Sequence, residues 1–304
     1  MRRLSSTDGV TLVLHDLGGR GPTIVYSHAT GFHGRVWQPL ATRLAAGYHG
    51  IAVDYRGHGD STRAETENDT VDWHGYRDDA LAVLDAIDAV PSNDVPSASR
   101  APLFGVGHSK GATSLVMAEL ARPGTFSALA LYEPIIFPVE DEDTAREAMR
   151  ASALIAGTRR RRPTFPSFAA AEVNYASKPP LDVLTADALH AYVVHGFNQN
   201  ADGSVTLKCD PEHEARTFEG SQSHRTWYEL DQLTCPVLIM AGSFDDPGPG
   251  QVAEGVADRI SGATFRRFDH LGHFGPLQDP DTVAGAIDDF FASHRPSTRR
   301  AEAP

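Results

Sequence analysis

The sequence predicts an α/β fold: a mostly parallel central sheet covered by helices on both faces and interrupted once by a mainly helical insertion. Three observations predict it. Short apolar runs alternate with amphipathic stretches from Val10 to Tyr132. That rhythm stops at Ile135 and resumes at Cys235. One junction, Pro102 to Gly111 (PLFGVGHSKG), leads from an apolar run through a glycine-flanked serine into the helix-forming residues Ala112 to Leu120.

Val10 to His15 reads as a strand, Gly18 to Pro22 as a turn and Thr23 to Ser27 as a more buried strand, so the chain begins with an antiparallel segment at the sheet margin. The small-residue loop His28-Ala29-Thr30-Gly31-Phe32 follows at a carboxyl strand end, where open α/β sheets bind ligands. Val36 to Ala46 has helical spacing, with Gly47 as its stop. His49 to Asp54 is a strand closed by Tyr55-Arg56-Gly57-His58-Gly59-Asp60-Ser61, where Asp54, Arg56 and His58 read as turn-stabilising. Asp72 to Ala89 is an amphipathic helix, and Pro91 to Pro102 a surface loop. Phe126 to Tyr132 is the strand before Glu133-Pro134.

Within the insertion, Glu140 to Ala156, Ser167 to Ala176 and Thr185 to Gly196 read as helices, and Asp202-Gly203 as the turn of a hairpin. The run Arg159 to Arg162 reads as a solvated face, with a binding patch for an acidic substrate as the alternative. The core resumes with the strand Pro236 to Ala241, a helix over Val252 to Ile260, a last strand over Thr264 to Phe268 and a closing helix over Asp281 to His294. Residues from Arg295 onward read as disordered. The expected division is a core of residues 1–134 and 223–304 with a cap of 135–222.

Composition fits one core plus an insertion: 304 residues, 41% hydrophobic and 22% charged. The formal net charge of −13 disfavours nucleic acid and anionic membranes as partners. Cys209 and Cys235 have neither disulfide-framework nor metal-site spacing and are expected as buried or half-buried thiols. No ligand cluster or dinucleotide loop implies a metal or an organic cofactor. The first residues, MRRLSSTDGV, lack a following apolar stretch of signal-peptide length, and no run approaches a membrane span, so the cytoplasm is the expected location.

The chemistry centres on Gly107-His108-Ser109-Lys110-Gly111. Serine at the apex of a strand–turn–helix junction is held in a strained backbone conformation that presents its hydroxyl above the sheet, and small residues two positions away let strand and helix pass closely. The same serine in an ordinary glycine-rich turn would merely cap the helix.

With these residues in order, the chain resembles the α/β-hydrolase fold family: His28-x-x-Gly31, Asp54 to Ser61, the turn at Ser109, Gly242-x-x-Asp245 and Gly272-His273-Phe274. The resemblance covers everything outside the insertion and implies the family's fold, with a cap. It also implies Ser109 as nucleophile and His273 as base, with His270 the nearest rival; a serine hydroxyl needs such an imidazole, and the imidazole a carboxylate. For that carboxylate Asp245 ranks first, then Asp246, then Glu133, since some relatives place the acid after the strand that follows the nucleophile. Oxyanion donors would be the backbone N–H groups of Lys110 and Thr30, although Ala29 stands where the family usually has glycine. The Lys110 side chain is expected to reach solvent or meet a carboxylate.

Serine at the apex disfavours epoxide-hydrolase and dehalogenase relatives, which carry aspartate there. The implied activity is hydrolysis of an ester or related acyl compound through an acyl-enzyme. The alternatives are a C–C bond hydrolase, a cofactor-free perhydrolase and a non-catalytic ligand-binding member. The expected partner is a small molecule with an apolar acyl or alkyl part, roofed by aromatic residues such as Phe137, Phe165, Phe168, Tyr175, Tyr192, Phe197 and Trp227; the alternative is that most of these form the lid's own core.

Overall fold

Apolar runs too short for helices, bounded by Gly, Pro and Asn, pair side by side in the computed structural model, which describes residues 1–64, 71–88, 102–245 and 248–295. The strands are β1 (Arg2–Ser5), β2 (Thr11–Gly19), β3 (Thr23–Ser27), β4 (His49–Asp54), β5 (Leu103–His108), β6 (Ala128–Tyr132), β7 (Thr164–Phe165), β8 (Phe197–Gln199), β9 (Val205–Leu207), β10 (Val237–Ala241) and β11 (Thr264–Arg267). The α-helices are α1 (Gln38–Leu44), α2 (His74–Asp88), α3 (Lys110–Ala121), α4 (Glu142–Arg150), α5 (Ala153–Arg159), α6 (Phe168–Ala176), α7 (Ala186–Gly196), α8 (Pro211–Glu219), α9 (Ala253–Asp258), α10 (Gly275–Gln278) and α11 (Pro280–Ser293).

The main sheet runs β1-β2-β4-β3-β5-β6-β10-β11. β1 and β2 are antiparallel, and β4 through β11 are parallel to their neighbours in that order. Two apolar layers cover its faces, one including Tyr26, Trp37, Phe104 and Phe291, the other Val25, Tyr76, Leu115 and Ile239. Burial on both faces is why the central strands read as continuous apolar runs; all five residues of β6 are buried.

The chain between β6 and β10 adds no strand to this sheet. It forms helices and a three-stranded antiparallel sheet, β7-β9-β8, with Gly203 at positive φ in the expected hairpin turn. This layer is bonded to the loops at the carboxyl strand ends. Trp73 Nε1 donates to the Thr217 carbonyl at 2.8 Å, the Thr185 amide to the Leu277 carbonyl at 3.0 Å, and Lys208 pairs with Asp60 at 2.7 Å.

Helix starts follow their capping residues: Ser167 and Thr185 cap α6 and α7 as side-chain acceptors. Four elements went unread in the sequence: the edge strand β1, the two-residue strand β7, and helices α8 and α10. The expected helix at 36–46 begins as a 3-10 turn over Gly34–Trp37, and the one at 140–156 is broken at Ala151 and Ser152. Asp246, most of the loop at 91–102 and the chain end from 296 lie outside the described residues. No helix of the described residues is long and apolar enough to cross a membrane.

Candidate active site

Ser109 stands between β5 and α3 with φ 55 and ψ −123, and its side chain makes no capping bond to the helix. Its amide donates to the Tyr132 carbonyl at 2.9 Å and its carbonyl accepts from the Thr113 amide at 3.2 Å, so both neighbours enforce the positive φ. The flanking glycines are required by contact. A Cβ on Gly107 would lie 2.5 Å from Ala112 Cα, and one on Gly111 would fall on the Ser27 carbonyl. The serine is nearly buried, 4% exposed.

Glu133 also has positive φ, 45, and with Ser109 and Asp8 completes the non-glycine residues in that region among those described. It follows β6 directly, and its amide extends the parallel pairing to the Met240 carbonyl at 2.9 Å. Its buried carboxylate accepts from the Gly242 amide at 2.8 Å through Oε1 and from His273 Nδ1 at 2.6 Å through Oε2. A Cβ on Gly250 would lie 2.7 Å from Oε1, so this glycine keeps room for the carboxylate.

His273 lies in the loop between β11 and α10. Its carbonyl accepts from His108 Nε2 at 2.7 Å, and the preceding Gly272 carbonyl from the Tyr132 hydroxyl at 2.8 Å. Burial holds the His108 imidazole well below its ordinary value, the nearby His273 lowers it further, and the neutral ring can donate through Nε2. With Nδ1–H committed to a carboxylate, the His273 tautomer leaves Nε2 as the proton acceptor.

This arrangement corrects the order of the acids. The sequence placed Asp245 first; it is exposed, and its recorded bond is from its own amide to Ser243 Oγ at 3.2 Å. The carboxylate on His273 is that of Glu133, ranked third. His270, the rival base, is exposed and faces Asp279 at 3.5 Å.

The loop after β3 is organised by His28. Tyr55 N–H donates to its Nε2 at 3.1 Å, and its Nδ1–H donates to the Ala29 carbonyl at 2.7 Å. That carbonyl shares a peptide plane with the Thr30 N–H, so fixing one fixes the direction of the other. Thr30 is buried, and Gly31 takes φ 78. Lys110 opens α3, where first-turn amides lack partners within the helix.

The Lys110 side chain does not reach solvent. It is fully buried, with Nζ over the Tyr76 ring at 3.9 Å and the Tyr55 ring at 4.5 Å. Asp54, Arg56 and His58 stabilise the turn as read. Asp54 accepts from the Gly34 and Asp60 amides and from His15 Nε2; burial raises its pKa, but these bonds more than offset that and hold it well below the carboxylate range. Arg56 makes a two-pronged pair with buried Asp79. Both cysteines are free and buried, and burial pushes the Cys235 thiol up to about 12.

Several residues of the site went unread. His108 and Tyr132 support the His273 loop, and their only sequence signal is adjacency to Ser109 and Glu133. Of the roofing aromatics, Phe165, Tyr175, Tyr192 and Phe197 pack on one another as the insertion's own core.

A family model described as the alpha/beta hydrolase family matches residues 24–286. The chain belongs to that family. Among curated relatives, the 2-(acetamidomethylene)succinate hydrolase of Mesorhizobium japonicum is 29% identical over 224 residues, covering 74% of this chain and 71% of that one. The crystal structure of an E-2-(acetamidomethylene)succinate hydrolase superposes with a TM-score of 0.73 at 24% identity, covering 96% of this chain and 98% of that one. A thermophilic esterase from Thermogutta terrifontis, solved with malate bound, gives 0.68 at 18% identity over 97% and 99%. At these identities the two structures speak to the fold alone.

Proposed function

We propose that this α/β hydrolase is a serine hydrolase that cleaves an ester or amide through an acyl-enzyme on Ser109. The observation that carries the reading is a strained, uncapped Ser109 whose neighbour His108 donates to the His273 carbonyl, while His273 Nδ1 is held at 2.6 Å by buried Glu133. In this reading Ser109 Oγ attacks the acyl carbon while His273 Nε2 takes its proton. Glu133 fixes the imidazole and stabilises its charged form. The Thr30 and Lys110 amides hold the oxyanion. His273 then protonates the leaving group, and a water activated by the same imidazole releases the acid.

Residues 135–222 act as a cap over the site, and Phe32 and Phe274 give the acyl group an apolar wall, their rings 5.7 Å apart. The two buried thiols suit a reducing compartment such as the cytoplasm. The test is pre-steady-state hydrolysis of p-nitrophenyl esters with mass analysis of quenched enzyme. A burst and an acyl adduct on Ser109, both absent in Ser109→Ala, support the reading; turnover retained by Ser109→Ala contradicts it.

A further inference from the structure

The four-arginine run does not lie uniformly in solvent. Arg159 pairs at the surface with Glu212 and reaches in to buried Glu219, and Arg162 lies over the Phe165 ring at 4.6 Å. Arg161 turns inward with its side chain 20% exposed and forms an ion pair with buried Glu214. Its Nη2 donates to the Tyr192 hydroxyl at 2.6 Å and to the Tyr175 hydroxyl at 3.3 Å.

This cluster rests on the loop that carries Thr30. A Cβ on Gly31 would fall on the Glu214 carboxylate and lie 3.4 Å from Arg161 Nη1. A cavity of about 10 Å³ has Gly31, Phe32 and Tyr192 in its lining. An unbroken series of rings leads there from the base: Phe274 is 5.4 Å from His273, Phe32 is 5.7 Å from Phe274, and Tyr192 is 5.1 Å from Phe32. The Tyr192 hydroxyl ends the series on the Arg161 guanidinium.

We propose that Arg161 recognises a carboxylate carried by the substrate, so that the site takes acyl compounds whose chain runs along Phe274, Phe32 and Tyr192 and ends in a carboxylate. The inference rests on the acyl-hydrolase reading above and adds the substrate class. Guanidinium matches carboxylate in a two-pronged geometry that an ammonium or a hydroxyl does not reproduce. A buried ion pair is a poor source of stability compared with apolar packing, and this one is packed against Gly31, next in sequence to Thr30. Glu214 holds the guanidinium until a substrate carboxylate displaces it. Burial raises the Glu214 pKa, although Arg161 opposes this, and so eases proton uptake as the new carboxylate takes its place.

The experiment compares p-nitrophenyl hemisuccinate with p-nitrophenyl butyrate, which differ by a carboxylate in place of a terminal methyl. Wild type should favour the hemisuccinate in kcat/KM, and Arg161→Met should reduce that preference about 10 to 100 fold, chiefly through KM, with Arg161→Lys restoring part of it. Glu214→Gln, which keeps a hydrogen-bonding partner for Arg161, should strengthen the preference. An equal loss on both esters in Arg161→Met, or no preference in wild type, overturns the proposal and leaves Arg161 a structural strut. Calorimetric titration of Ser109→Ala with succinate separates the two readings. Binding that weakens at least tenfold when Arg161→Met is added supports the subsite even if neither ester is hydrolysed by wild type, an outcome that would defeat the hydrolase reading alone; absence of succinate binding overturns the subsite.

Discussion

His273 Nδ1 lies 2.6 Å from Glu133 Oε2, while Asp245, the residue in the Gly-x-x-Asp pattern, is exposed to solvent. Removing the charge without changing the shape separates these carboxylates. Glu133→Gln should lower kcat about 1000 to 10,000 fold with KM little changed, because the imidazole loses both its tautomer and the stabilisation of its charged form. Asp245→Asn should stay within about threefold of wild type. Steady-state kinetics on one p-nitrophenyl ester checks both variants.

His28 is bonded to the Ala29 carbonyl and sets the Ala29–Thr30 peptide, so its effect on turnover is indirect. His28→Phe keeps a buried aromatic ring, somewhat larger than the imidazole, and removes both bonds. We expect a kcat loss of about 10 to 100 fold, less than the 100 to 1000 fold of deleting an oxyanion donor outright. KM within threefold of wild type and an unchanged urea midpoint would mark the loss as one of oxyanion support and not of folding.

Gly111 has no room for a side chain, since a Cβ there would fall on the Ser27 carbonyl, which is backbone and has little freedom to yield. Gly111→Ala should therefore destabilise the protein by about 2 to 4 kcal/mol, as overpacking of rigid neighbours does. The urea midpoint measured with an unchanged slope checks this. A Gly124→Ala control meets no neighbour within 4 Å but sits at φ 77, and should cost only about 1 kcal/mol, the strain of a left-handed residue.

Much of this architecture was legible from local pattern. Strands β3 to β6 and β10 are short because both faces are buried, and their apolar runs announce them. β1 was not legible because it is an exposed edge strand with one half-buried residue, Leu4, and α8 because PEHEARTFE reads as a polar stretch until Asp210 and Pro211 are recognised as its start. The acid was misordered for a tertiary reason. Gly-x-x-Asp is a local match, whereas the position of Glu133 depends on β6 and β10 ending side by side, with the Glu133 amide on the Met240 carbonyl. Arg161 was misread because nothing within a basic run distinguishes the member that turns inward toward Glu214.

Acid should weaken the fold through its buried histidines. Burial pushes His33, His213 and His224 down to about 4, so each stays neutral in the folded chain under conditions where the unfolded chain, with an imidazole near 6.5, takes up a proton. The unfolded state then binds more protons, and stability falls as pH drops from about 6.5 toward 4, by about 1 kcal/mol for each group at pH 5.5. His224, stacked on Trp73 with ring centroids 5.5 Å apart, is the simplest to isolate. Urea unfolding of His224→Gln at pH 7.5 and 5.5 should show a pH dependence smaller than wild type by about that amount.

The central claim is that Ser109, activated by His273 and Glu133, is the nucleophile. A fluorophosphonate probe, followed by peptide mapping of the modified residue, tests it most directly. The account predicts stoichiometric labelling of wild type at Ser109, none in Ser109→Ala, and labelling slowed at least 100 fold in Glu133→Gln. Labelling at another residue, or wild type left unlabelled while folded, would contradict it.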